Sequence, residues 1–412
     1  MERLGLRFRF KNVCLSLVLV TLFITINISS LAIAQETIVM GCTLPLEQAL
    51  GLETKKTFEV IVDDFNKSGG LTIKGKKYFI KLIIYDDKYT PEGGRAAVER
   101  LVYSDKVHIL MNQLGSGPTV AGLSVSEPEK LMVWASPASD KFLTDKKYTY
   151  RIHHYLLKDV AALSYLRSVY PNIKTVVTLG RDDLSGRAMT KSAIESSEIM
   201  GFKVIGNVYH PAEERDFSAV ATKVRSLNPD LLIHAGNVPG TQYGLIKKSL
   251  HQGGFKGIQY GSLAPKMDEC LAASSMEVME GLYCEFSDPT EVQKPTPEAT
   301  KLRKLYESKY GNWDETGSKW VSPWYAWIEA VKKASSMDHK DIQKALAGLE
   351  ISCPMGTLKV VMRPDLGLDR YADAVHDWSA GQVKSGKVIF IKKMPYSMFI
   401  EFAEKKFGKK FD

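Results

Sequence analysis

From residue 37 onward the chain alternates short β-rich runs with amphipathic helical stretches, in two successive series. In the first series, residues 37–41, 79–85, 107–111 and 131–134 read as strands. Phe58, Ile61, Val62 and Phe65 fall at i, i+3, i+4 and i+7, the spacing of one buried helix face. Ala97, Val98, Leu101 and Val102 repeat that face on the next helix. The second series has strands at 175–179, 203–208 and 231–234, with Phe217, Val220, Val224 and Leu227 on a helix between them. Strands alternating with helices close right-handed crossovers and make parallel sheets. The expected fold class is therefore α/β, with two doubly wound parallel-sheet lobes. After Gly281 the pattern changes to a strand-like run at 282–286, a Pro-rich loop to 297, and helices at 298–310 and 320–334.

The N-terminus reads as an export signal. Arg3, Arg7, Arg9 and Lys11 precede an apolar stretch at 13–28, and Ala32-Ile33-Ala34 supplies small residues for cleavage before Gln35. Residues 1–34 are thus expected to be a signal peptide, with a membrane anchor as the alternative, and the mature chain to be periplasmic. Without residues 1–34 the net charge is +5 instead of +8, and no basic run is dense enough for nucleic acid. Four cysteines remain, Cys42, Cys270, Cys284 and Cys353, with no C-x-x-C spacing. A bridge, with Cys270 and Cys284 nearest in sequence, stays open.

In open parallel sheets ligands bind beyond the carboxyl ends of strands, where loops enter helices. The loop after the first strand carries Gln48. Ser116 and Gly117 follow the third strand, and Ser136, Ala138 and Ser139 the fourth. Small residues with hydroxyls and free N–H groups at a helix start suit a carboxylate or other anion. Asn237 lies in the equivalent kind of loop in the second series.

The segments Leu44-Pro45-Leu46, Asn66-Lys67-Ser68-Gly69-Gly70, Asp86-Asp87 with Pro91, Gly115-Ser116 and Ser136-Pro137-Ala138-Ser139 occur in a fixed order. Asp216-Phe217-Ser218-Ala219 and Asn228-Pro229-Asp230 follow them. In this order and spacing the chain resembles the leucine/isoleucine/valine-binding protein family, the type I periplasmic binding proteins of ABC importers. The resemblance implies two lobes joined by three crossings, near 152–155, 283–286 and 356–360. Residues 35–152 and 285–356 would form lobe one, and 153–284 and 357–412 lobe two. It also implies a monomer that captures a small-molecule ligand in the interlobe cleft and delivers it to ABC permease subunits. On the family pattern Ser185 and Leu263 face the ligand from lobe two. Amino-acid-binding members carry a carboxylate for the ligand ammonium near Leu263 and Ala264, where this chain has none. That departure favours an apolar or aromatic carboxylic acid over a branched-chain amino acid.

No G-x-S-x-G, H-E-x-x-H, Walker or G-x-G-x-x-G pattern occurs, so no catalytic residue or cofactor is expected. His153 and His154 are adjacent and would face opposite ways on a strand, which argues against a metal site. Trp320, Trp324 and Trp327 read as one core-packing face of a helix. The functional alternatives are a ligand-sensing receptor domain of the same fold and, further off, a secreted hydrolase.

Overall fold

The computed structural model describes residues 35–153, 155–236 and 240–411, so the expected signal segment and Asn237 lie outside the described residues. Two sheets organise the rest. The first runs, edge to edge, β12 (Glu350–Cys353), β13 (Gly356–Met362), β14 (Tyr371–His376), β6 (Thr149–Arg151), β5 (Met132–Ala135), β4 (Ile109–Gln113), β1 (Gln35–Leu44), β3 (Lys76–Asp86) and β2 (Leu71–Ile73). The second runs β16 (Lys387–Met394), β15 (Trp378–Lys384), β11 (Tyr283–Glu285), β10 (Ile258–Gly261), β9 (Leu231–His234), β7 (Thr175–Arg181) and β8 (Lys203–His210). The central strands of both are parallel, with antiparallel strands at the edges. β4, β5 and β9 are buried on both faces, which explains their unbroken apolar sequence.

Helices cover the sheets in the predicted way. Phe58, Ile61 and Val62 of α1 (Ala49–Lys67) are buried against the first sheet, with Phe65 packed at the margin. α2 (Pro91–Glu99) starts with Pro91 in its first turn, and the Thr90 hydroxyl accepts from the Gly93 N–H as its cap. α3 (Ser116–Ser126) completes the cluster of first-lobe helices near the cleft. In the second lobe, Phe217 and Val224 are buried at α6 (Ser218–Leu227), after α4 (Val160–Val169) and α5 (Leu184–Ile199). No helix among the described residues is long and apolar enough to cross a membrane.

The chain leaves the first sheet after Arg151, returns to it after Glu285, and leaves again after His376. The third passage therefore differs from the expectation near 356–360. β12 and β13 form a tight hairpin, with Cys353 paired to Gly356, and β13 then pairs antiparallel with β14. Gly356 takes φ +120°, and the chain doubles back within the first sheet rather than crossing. Residues 357–376, expected in lobe two, lie in the first sheet, and the second sheet gains only β15 and β16.

Candidate ligand-binding cleft

A cleft of about 830 Å³ lies between the two lobes, at the carboxyl ends of strands in both sheets. From the first lobe it is lined by Gln48 after β1, Tyr89 after β3, Gly115 after β4, and Ser136 and Ala138 after β5. The second lobe contributes Arg181, Asp183 and Ser185 around the end of β7, Gln242 beyond β9, and Leu263 after β10. A cavity of this size, apolar in part and with convergent polar groups, is what small-molecule sites require.

Direct contacts already join the two rims. The Ser116 backbone N–H, at the start of α3, donates to Ser185 Oγ at 2.9 Å. Arg181 lies over the Tyr89 ring, 4.9 Å from its centroid. Its Nε donates to Asp183 Oδ2 at 2.5 Å, while Asp183 Oδ1 accepts from the Gly186 N–H at 2.7 Å and caps α5. Lys266 pairs with Asp314 at 2.6 Å across the cleft mouth. Gly115 is obligatory here: its φ is +78°, and a Cβ would stand 2.7 Å from the Tyr89 ring.

The walls are largely apolar and aromatic. Ala138, Tyr155 and Met189 form one buried cluster with Leu263 packed on it, drawn from both lobes. His153 sits edge-on to Tyr155 at 5.1 Å and tilted against Trp320 at 4.8 Å. Beneath them Glu285 Oε2 accepts from Lys319 Nζ at 3.0 Å and from Lys158 Nζ at 3.2 Å. Burial alone would raise the Glu285 carboxyl, but the two lysines outweigh it and hold it at about 2.

Of the residues expected at the site, Gln48, Ser136, Ala138, Ser185 and Leu263 line the cleft. Ser116, Gly117 and Ser139 do not. The Ser116 hydroxyl accepts from the Ser139 N–H at 3.1 Å, and the Ser139 hydroxyl accepts from the Lys141 N–H at 3.3 Å, so both serve the loops themselves. Tyr89, Tyr155, Arg181, Lys319 and Trp320 line the cleft without having been singled out for it. Arg181 lies two residues past the predicted strand at 175–179 and ends the observed one, which was the signal available for it. Trp320 belongs to a 3-10 segment, Glu315–Val321, ahead of helix Ser322–Ala334; it is as buried as Trp324 and shares one core with Trp324 and Trp327, as expected, while also lining the cleft.

The second lobe also brings carboxylates to the cleft, with Asp183, Glu213 and Glu269 all lining it. Asp183 is engaged by Arg181, and Glu269 accepts a backbone hydrogen bond from Thr241. Glu213 is exposed at the rim. Among the described residues no group of three or more His, Cys, Asp and Glu is placed to hold a metal.

Two doubly wound lobes, three passages between them and one large cleft at the strand ends define a type I periplasmic binding protein fold. A family model described as periplasmic binding protein matches residues 45–387, and the chain belongs to that family. Solved structures agree on the fold. The leucine-binding protein LivK of Thermotoga maritima superposes with a TM-score of 0.71 at 19% identity, covering 88% of this chain and 99% of that one. An ABC-transporter solute-binding protein of Rhodopseudomonas palustris, in complex with 3,4-dihydroxybenzoic acid, gives 0.68 at 19% identity, covering 87% and 98%. A leucine-, isoleucine-, valine-, threonine- and alanine-binding protein of Brucella ovis, in its closed conformation, gives 0.72 at 15% identity, covering 88% and 96%.

Proposed function

We propose that this chain is the exported substrate-binding protein of an ABC importer, capturing a small carboxylate-bearing solute between its lobes. On this reading residues 1–34 are removed near Ala34, and the mature monomer works in the periplasm. The lobes close by hinge bending at the three passages, and the closed, loaded form docks on the permease. The observation that carries the reading is the cleft itself: polar groups from both lobes converge on one partly apolar volume. A binding protein, rather than a catalyst, is what such a cleft suits, with Arg181 paired to Asp183 and Lys266 to Asp314 along its walls.

Within this reading the ligand is an apolar or aromatic carboxylic acid. Tyr89, Tyr155 and Trp320 offer ring faces and edges, and Leu263 and Ala264 stand at the second-lobe wall. Asp183 and Glu269, two second-lobe carboxylates that line the cleft, are committed to other partners. The likeness to a protein solved with 3,4-dihydroxybenzoic acid is in keeping with this class. One observation favours a leucine-like amino acid instead: Glu315 lines the cleft without a salt bridge among the described residues, and its carboxyl is pushed up by burial.

Native mass spectrometry of freshly purified protein tests the reading. The expected result is a co-purified small acid that leaves on denaturation. Discovery of a bound sugar, metal or peptide in its place would overturn it.

A further inference from the structure

Lys319 is about as buried as a lysine can be while still meeting a ligand cavity, with 6% of its side chain exposed. It enters the cleft wall from the 3-10 segment that also carries Trp320, and its Nζ lies 4.9 Å from that ring's centroid. An ammonium has three N–H donors. Among the described residues Lys319 Nζ has a single acceptor, Glu285 Oε2, at 3.0 Å. Even that acceptor is shared, because Lys158 Nζ reaches the same oxygen at 3.2 Å. Lys158 also has the buried carboxylate of Asp159 near enough to feel its charge, without a salt bridge between them, and Asp159 itself accepts from the hydroxyls of Tyr260 and Ser262. Lys319 has no such second carboxylate.

A buried cation with donors to spare is expensive unless something pairs with it. The other cleft cations do not share this position. Arg181 is matched by Asp183, Lys266 by Asp314, and Lys88 and Arg215 are exposed. We infer that Lys319 is the specificity-determining cation of the cleft, donating its remaining N–H groups to the carboxylate of the ligand. The inference rests on the carboxylate-binding reading above and adds the group that selects for it. It also ties recognition to the hinge. Glu285 ends the strand from which the chain returns to the first lobe, and it holds one lysine from each side.

The test compares an acid with its neutral amide of nearly the same shape. Calorimetric titration of the full chain would use benzoate against benzamide, and leucine against leucinamide. The original chain is expected to bind one acid and reject its amide. Lys319→Met, which keeps the length and removes the charge, should weaken that acid by roughly tenfold to a hundredfold, the range for losing a hydrogen bond to a charged group. It should also erase the preference for acid over amide. Lys319→Arg should restore the preference, which separates charge recognition from packing. An acid-over-amide preference that survives undiminished in Lys319→Met would overturn the assignment while leaving the carboxylate reading intact. If the original chain binds neither acid, the carboxylate reading fails and the role of Lys319 falls with it.

Discussion

Ser116 and Ser185 are hydrogen-bonded across the cleft, the backbone N–H of the first donating to the hydroxyl of the second at 2.9 Å. The N-terminus of a first-lobe helix thus ends on a second-lobe side chain, and the bond exists only while the lobes are together. The Ser116 hydroxyl has a separate duty, accepting from the Ser139 N–H and pinning two cleft loops to each other.

Replacing Ser185 by Ala removes the acceptor and leaves a helix-start N–H without a protein partner. A neutral hydrogen bond is worth about 0.5–1.5 kcal/mol, so the Ser116 amide should exchange up to about tenfold faster with solvent. Global stability should be nearly unchanged. Hydrogen exchange read at the peptide spanning Ser116 checks this. Equal protection in Ser185→Ala and the parent would mean that the lobes are not held in this arrangement in solution.

Acid should destabilise the fold in two stages. Burial holds His376 at about 4 and His234 at about 3, against roughly 6.5 in an unfolded chain. Both are depressed, so the unfolded state takes up their protons first, and stability falls as pH drops below about 6.5, by up to about 1.4 kcal/mol per pH unit for each histidine. Glu285, held at about 2 by its lysines, adds stability above about 4.3 that is lost as pH falls toward 2. The melting temperature should therefore decline below about 6.5, with Asp87, raised by burial to about 7, offsetting about one histidine's share, and go on declining below about 4.3 as Glu285 takes over from His376. Glu285→Gln should flatten the decline below about 4.3 and cost about 3–5 kcal/mol at pH 7, because two buried lysines would lose their shared carboxylate. A melting temperature that stays level down to pH 4 would contradict the histidine assignments.

The cysteines give a simpler expectation. Cys42, Cys270, Cys284 and Cys353 are all buried free thiols, and burial pushes each thiol upward in pKa. Protein beginning at Gln35 should show four titratable thiols after denaturation, few of them reactive in the native state, and a melting temperature indifferent to reductant. Two titratable thiols instead of four would reveal a bridge.

The fold was readable because the 3.6-residue and strand patterns alternate cleanly as far as Leu231–His234. The run from 350 to 394 was harder. It holds five strands with no α-helix between them, only the 3-10 turn Pro364–Leu366, and periodicity does not say which sheet an antiparallel strand joins. Hence the misplaced third passage. The site was half readable for a related reason. Strand ends announce loops, and Gln48, Ser136 and Ala138 followed from that rule. Whether a loop serine faces the ligand or its own loop is decided by tertiary hydrogen bonds, as Ser116 and Ser139 show. Lys319 and Trp320 were hidden because they sit in a 3-10 segment ahead of the helix, where a core position also borders the cleft.

The central claim, capture of a carboxylate-bearing solute in the interlobe cleft, is tested most directly by a thermal-shift comparison of ligands. The panel sets benzoate-type and short-chain acids against leucine, isoleucine and valine, with a sugar as control. A ligand that binds the folded state stabilises it by RT ln(1 + [L]/Kd), about 2.7 kcal/mol at a hundredfold excess over Kd. The account predicts a clear rise in melting temperature with an apolar or aromatic acid. A rise with leucine and none with any acid lacking an amino group would show that the cleft holds an ammonium and that the ligand class is wrong. A rise with the sugar alone, and with no carboxylate, would contradict the claim itself.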